Sequence, residues 1–206
     1  MLTQSEMQIL CLDLEGVLVP ELWMEISKAT GVEEIGLTTR DIPDYDELMK
    51  LRRGAMNRHD IGYQQIKDAL ADVAPFDGAQ DFLNWARSSF QVAILSDTFY
   101  EFAMPLMQKL SYPFLLCHHL IIEQDRIVGY RRRQKDPKTK VVQAFRALEL
   151  TVYASGDSYN DVGMLQTANS GFFFNPPPHV VEDYPNIPVV KNFDELQSNL
   201  QRVAKA

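Results

Sequence analysis

The chain has little cysteine, no long apolar run and no surplus of positive charge. Among its 206 residues only Cys11 and Cys117 are cysteines, each within an apolar stretch and neither at ligand spacing. A disulfide framework is thereby excluded and a zinc site disfavoured. No apolar run approaches the roughly 20 residues that a membrane span needs, and the first eight residues carry neither the basic nor the apolar segment of a secretory leader. Twenty Lys and Arg against 28 Asp and Glu give a formal charge of −8, which disfavours a general nucleic-acid surface or an anionic membrane as partner. Internal repeats and low-complexity tracts are absent as well. These absences lead us to expect a cytoplasmic protein that works on small molecules, with no nucleic-acid and no membrane partner; the sequence leaves the oligomeric state open and is compatible with a homodimer.

The hydrophobic fraction is 46% and the charged fraction 23%, so the chain can bury one core domain plus an insert, and intrinsic disorder is ruled out. Short apolar runs at Ile9 to Leu12, Val92 to Leu95, Val152 to Ala154 and Gly171 to Phe174 read as buried strands, with Val189 and Val190 as a fifth. Helical periodicity lies between them, at residues 79–88, 99–110 and 141–148. Such alternation specifies an α/β fold with a doubly wound parallel sheet covered on both faces. Residues 20–75 break the rhythm. Leu22 and Ile26, then Tyr45, Leu48 and Met49, then Ile66, Leu70 and Val73 recur at helical intervals with no comparable strand, which makes this stretch a helical insert into a core formed by residues 1–19 and 76–206. Leu120 to Tyr130 reads as a short β-hairpin, with Leu120, Ile121 and Ile122 facing Ile127 and Val128 across Glu123 to Arg126. Asn192 and Glu195 have the spacing of a capping box ahead of a C-terminal helix.

Polar residues that could carry chemistry cluster where strands end. Asp13 and Glu15 follow the first strand, where two carboxylates two residues apart can both face the crevice at the carboxyl edge of a parallel sheet. Gly16 permits a sharp reversal after them; the plainer reading is a turn capped by Asp13. Ser96 and Asp97 follow the second run, and Ser96 is expected at a helix N-terminus, where it could cap the helix or bind an anion. Gly156-Asp157-Ser158-Tyr159-Asn160-Asp161 ends another strand and supplies hard oxygen ligands suited to Mg²⁺, whereas an EF-hand calcium loop is excluded by spacing. In the basic run Arg131 to Lys138, Lys138 opens a helix and can reach the crevice, while Lys135 precedes Pro137 and reads as loop. Trp23, Trp85 and Phe172 to Phe174 read as core, and His59, His118, His119 and His179 as solvated or structural.

The order of these parts resembles the haloacid dehalogenase superfamily of aspartate-nucleophile phosphotransferases: Asp13-Leu14-Glu15-Gly16, then Ser96, then Lys138, then Gly156 to Asp161. The insert resembles the small cap of the phosphoserine phosphatase branch. Asp13 to Glu21, Thr39 to Asp46, Ile94 to Phe102 and Gln134 to Lys138 are similar to its bifunctional family, the phosphoserine phosphatases that also transfer phosphate to homoserine. Glu15 stands where the wider superfamily has a second Asp, and that family shares the Glu. The resemblance implies a fold of haloacid dehalogenase type and an enzyme that acts on O-phospho-L-serine, with water or homoserine as acceptor and Mg²⁺ as cofactor. Asp13 would be the nucleophile, and Glu15 the general acid and base. Asp13, Asp157 and the backbone carbonyl of Glu15 would hold the metal. Ser96, Asp97, Lys138 and Asn160 would surround the phosphoryl group, with Asp161 orienting the lysine or the ligands. Glu21 would face the substrate ammonium and Arg52, or failing it Arg53, the carboxylate. The four motifs alone are equally compatible with a phosphatase for another small phosphomonoester. A receiver-like signalling module is disfavoured by length and by the insert.

Overall fold

The computed structural model describes residues 7–38, 41, 42 and 44–204. Thr39, Arg40 and Pro43 of the segment cited above lie outside the described residues. The chain begins with β1 (Gln8–Leu12), followed by α1 (Leu22–Thr30), α2 (Tyr45–Arg58), α3 (Tyr63–Ala71) and α4 (Ala79–Ser89). Next come β2 (Gln91–Phe99), α5 (Tyr100–Lys109), β3 (Phe114–Glu123) and β4 (Arg126–Arg131). After α6 (Pro137–Ala147) and β5 (Thr151–Gly156), the chain continues through α7 (Val162–Thr167), β6 (Ser170–Phe174), α8 (Pro178–Asp183), β7 (Val189–Val190) and α9 (Phe193–Val203). Among the described residues the strands form one sheet in the order β4-β3-β2-β1-β5-β6-β7. All its pairings are parallel except β3 with β4.

The sheet divides the apolar interior into two clusters, as expected of a sheet buried on both faces. Leu10, Leu12, Ile94, Tyr153 and Phe172 point to one side and Ile9, Cys11, Ala93, Val152 and Phe173 to the other. The alternation is that of adjacent residues on a strand. The first cluster also takes in Leu22, Ile26, Met49, Ile66 and Leu70 from α1 to α3, so the inserted helices share a continuous apolar interior with the sheet. Asn192 caps α9, its side chain accepting from Glu195 N–H at 2.9 Å, while Glu195 accepts in return from Lys191 N–H.

One expectation is extended and another corrected. Leu120 to Tyr130 forms the hairpin, with Leu120 opposite Tyr130 and Ile122 opposite Ile127, but its first strand is longer than the apolar run: β3 begins at Phe114 and its first half lies in the sheet beside β2, with Ala93 opposite Phe114. Leu115 and Cys117 are buried while the next turn of the strand carries histidines, so the apolar run reads as too short for the ten-residue strand it starts. Ser96 is not at a helix N-terminus. β2 continues through Asp97, Thr98 and Phe99, helped by a register shift between Leu95 and Phe99, and α5 begins only at Tyr100. The β-branched Thr98 and the fully buried Phe99 keep the backbone extended where Ser and Asp suggested a cap.

The β3–β4 hairpin seats the inserted helices. Its two turn residues, Gln124 and Asp125, have positive φ, as a tight hairpin turn requires. Asp125 accepts from the N–H of Gln64 at 2.8 Å and of Tyr63 through its backbone carbonyl, capping the start of α3 from outside. On β4, Tyr130 and the following Arg132 both donate to Asp46 of α2, and the Arg132 guanidinium lies over the Tyr45 ring at 4.6 Å.

Candidate active site

Asp13 lies just past β1, at the carboxyl edge of the sheet between β2 and β5. Its N–H donates to the Ser155 carbonyl on β5 at 2.9 Å, and its own Oδ1 accepts from Leu14 N–H at 2.7 Å. Lys138, the second residue of α6, reaches the same point: Nζ lies 2.8 Å from Asp13 Oδ2 and 2.7 Å from Asp161 Oδ1. All three residues are buried, with exposures of 4%, 2% and 0% for Asp13, Lys138 and Asp161. Lys138, not the exposed Lys135, is therefore the lysine at the carboxylates. Asp161 is fixed further by accepting from the N–H groups of Asp157 and Ser158 at 3.0 and 3.1 Å. This loop demands glycine at 156, where a Cβ would lie 2.2 Å from Asp161 Cγ.

The electrostatics follow from burial and sign. Burial, and then the charge of Asp161, hold the Asp13 carboxyl well above the usual carboxylate range, with Lys138 opposing. Burial and Asp161 likewise push Asp157 up to about 7. Burial would lower the Lys138 ammonium, but Asp13 and Asp161 outweigh it and keep the group charged well above its ordinary range. A cluster with surplus negative charge and one lysine favours a further cation. Asp13, Asp157 and Asp161 present carboxylate oxygens within 4.8 Å of one another, and hard oxygens of this kind fit Mg²⁺. Gly16, at φ 76°, brings its loop against this cluster so closely that a Cβ there would fall 2.5 Å from the Asp157 carboxyl.

Glu15 begins a second group. Its Oε1 accepts from Leu22 N–H, at the start of α1, at 2.8 Å, and burial, followed by the charge of Glu21, raises its carboxyl to about 8. That shift brings Glu15 toward the range in which a carboxyl can give and take a proton near neutral pH. Arg52 is buried on α2, donating from Nε to the Ile35 carbonyl at 3.1 Å and from Nη2 to the Leu37 carbonyl at 2.5 Å, with its plane 4.4 Å from the Trp23 ring. Burial pulls it down to about 10, and Tyr45, Glu15 and Glu21 act against that pull. A guanidinium has five N–H donors. Two serve backbone carbonyls and a third leans toward Met49 Sδ at 3.8 Å, which leaves donors for a carboxylate. Arg52, rather than Arg53, thus groups with Glu15 and Glu21.

Ser96 is buried at the end of β2 and its hydroxyl accepts from Thr98 N–H at 3.2 Å. Asp97 Oδ2 accepts from Asn160 Nδ2 at 2.7 Å, and Asp97 Oδ1 lies 3.5 Å from His118 Nε2. Burial would raise the Asp97 carboxyl, but Lys138, His118 and Asn160 hold it below the usual carboxylate range. Two residues at this site carry no signal in the sequence. His118 and Tyr45 are brought in by topology: His118 because β3 lies beside β2, with Phe99 opposite it, and Tyr45 because it opens α2, the helix that carries Arg52.

Comparison with known proteins shows the family and the fold. The family model described as haloacid dehalogenase-like hydrolase matches residues 5–166. The chain is 50% identical over 192 residues to phosphoserine phosphatase ThrH of Pseudomonas aeruginosa, covering 93% of this chain and 94% of the relative. It is also 50% identical over 195 residues to a phosphoserine phosphatase of Pseudomonas syringae pv. tomato, covering 94% and 82%. In fold it superposes on the crystal structure of a phosphoserine phosphatase in its apo form with a TM-score of 0.77 at 18% identity, over 95% of this chain and 98% of the other. No helix among the described residues is long and apolar enough to cross a membrane. With a doubly wound sheet, a buried Asp–Lys–Asp cluster at its carboxyl edge and a family match over most of its length, the chain belongs to the haloacid dehalogenase-like hydrolases.

Proposed function

We propose that this enzyme hydrolyses O-phospho-L-serine through an aspartyl phosphate on Asp13 and passes part of the phosphoryl flux to homoserine. The observation that carries the reading is the buried Asp13 with Lys138 Nζ 2.8 Å from its Oδ2, beside a Glu15 whose carboxyl burial pushes up toward neutral pH. The half-identity to two phosphoserine phosphatases points to the substrate. Residues 20–75 would act as the cap over the crevice.

Dividing hydrolysis into two displacements makes each step easier than direct attack by water. In the first, an Asp13 carboxylate oxygen attacks phosphorus, the bond from phosphorus to the serine oxygen breaks, and that oxygen takes the proton from Glu15. In the second, the acceptor hydroxyl gives its proton to the Glu15 carboxylate while its oxygen attacks phosphorus and frees Asp13. Lys138 and Ser96 bind the phosphoryl oxygens, and Asn160 and Asp161 hold their neighbours in place. Mg²⁺, held by Asp13, Asp157 and the backbone carbonyl of Glu15, would supply the charge neutralisation that attack by one anion on another requires. Glu21 receives the ammonium, and the remaining donors of Arg52 the carboxylate. Homoserine is longer than serine by one methylene, a difference worth only about 1 to 3 kcal/mol in discrimination. A pocket vacated by serine therefore admits it.

The test is phosphate release from a panel of phosphomonoesters, with and without Mg²⁺ and homoserine. Phosphoserine should turn over best, only with the metal, and phosphohomoserine should accumulate as homoserine rises. No phosphohomoserine at saturating homoserine removes the transferase reading. Preference for another phosphomonoester removes the substrate reading. Stoichiometric labelling without turnover would indicate a receiver.

A further inference from the structure

We propose that His118 is a positioning residue for phosphoryl transfer, acting through Asp97 to hold the second and fourth motif loops in register over Asp13; the proposal rests on the reading of this crevice as the phosphoryl site. His118 is 3% exposed, near the middle of β3, with its ring 6.3 Å from that of the buried Phe99. Both of its nitrogens have partners. The backbone N–H of Arg133 donates to Nδ1 at 3.2 Å, so Nδ1 acts as the acceptor and Nε2 is the nitrogen left to donate. Nε2 lies 3.5 Å from Asp97 Oδ1, longer than an ordinary hydrogen bond and of the kind that often tightens when substrate binds.

Asp97 is the junction of a chain of polar contacts. One oxygen faces His118, and the other accepts from Asn160 Nδ2 at 2.7 Å. The Asn160 oxygen in turn accepts from the Ser158 hydroxyl at 2.5 Å, and Ser158 N–H donates to Asp161, the partner of Lys138. His118 is thus the buried end of a line that runs through the residue next to Ser96 and finishes at the lysine on Asp13. Asp97 is 31% exposed, so with the buried end removed its carboxyl would be held by Asn160 and the charge of Lys138 alone, and the amide of Asn160 would rest on a less fixed partner.

The two ring nitrogens allow a test that separates this role from a merely structural one. A glutamine places its amide near Nε2 and keeps a donor for Asp97, while an asparagine places its oxygen near Nδ1 and keeps only the acceptor for Arg133. With a small aryl phosphate as substrate, His118→Gln should retain kcat near wild type. His118→Asn should lose about tenfold to a hundredfold in kcat with little change in KM, the scale of a misplaced reacting group. In an Asp97→Asn background, His118→Asn should cost little more, because both changes break one line. The reverse pattern, asparagine rescuing and glutamine not, assigns His118 to the Arg133 backbone and overturns the proposal. So does full additivity with Asp97→Asn. Nitrogen NMR of the histidine ring reads the geometry without any turnover, and a ring protonated on Nδ1 also overturns the proposal. The aryl substrate lacks ammonium and carboxylate, so loss of the phosphoserine reading leaves this test standing.

Discussion

Replacing Lys138 with methionine keeps the bulk of the side chain and removes its charge from between Asp13 and Asp161, which lie 2.8 and 2.7 Å from Nζ. All three groups are buried, so solvent cannot replace the ammonium, and breaking a buried pair by deleting one partner typically costs about 3 to 5 kcal/mol. The carboxylates have one escape, which is to take up protons. Asp13 already sits above its ordinary value through burial, and loss of Lys138 removes the contributions that lower it. A carboxyl whose folded pKa is raised contributes stability below its unfolded value and loses it as pH rises toward the folded value. The variant should therefore be most destabilised at neutral to alkaline pH and approach wild type on acidification toward the unfolded aspartate value of roughly 3.9. Urea unfolding of metal-free wild type, Lys138→Met and Lys138→Met/Asp161→Asn at several pH values measures this. The double variant should regain part of the loss, since it removes one stranded charge. A loss under about 1 kcal/mol, the range of an exposed ion pair, or a gap that does not narrow with acid, would refute the buried-cluster account.

Other outcomes follow from the same geometry. Glu15→Gln should slow phosphoserine turnover by about 10² to 10⁴ and abolish the fall in wild-type kcat/KM expected as pH rises through about 8 and Glu15 loses the leaving oxygen's proton; an alkaline limb unchanged in the variant would place the acid elsewhere. Gly16→Ala adds a Cβ 2.5 Å from the Asp157 carboxyl at a backbone angle that costs a side-chain residue about 1 to 2 kcal/mol. Its Mg²⁺ requirement should rise while the circular dichroism stays native, and an unaltered metal titration would contradict the placement of Asp157. Arg52→Lys, which keeps the charge but loses the fork, and Glu21→Ala should damage turnover of phosphoserine far more than turnover of an aryl phosphate. Equal losses on both substrates would indicate that these residues only support the fold.

Much of this architecture is legible in the chain itself, because a buried parallel strand is short, apolar and abruptly ended. Ile9 to Leu12 and Val152 to Ala154 show this pattern, and the residues that follow them are the ones the sheet presents at its carboxyl edge. Asp13, Asp157 and Asp161 come together for that reason, and Lys138 reaches them from the first turn of α6. The edge of the sheet is less legible. β3 carries buried Cys117 and His118 beside half-exposed His119, so its two-residue alternation mixes polar with apolar, and only pairing with β2 shows what the strand is. Ser96-Asp97 has the composition of a helix cap, and it took Thr98 and Phe99 packing on β3 to keep it extended. His118 and Tyr45 were out of reach for a related reason. Their partners, Asp97 and Arg132, are distant in the chain, and no local spacing marks such contacts.

The proposed mechanism requires Asp13 to become covalently phosphorylated during turnover. Rapid acid quench after mixing the Mg²⁺-loaded enzyme with radiolabelled phosphoserine, followed by peptide mapping, addresses it directly. Label is expected on the peptide containing Asp13, released by hydroxylamine as an acyl phosphate is, chased away by unlabelled substrate, and absent from Asp13→Asn. Label on another residue, or normal turnover by Asp13→Asn, would contradict it.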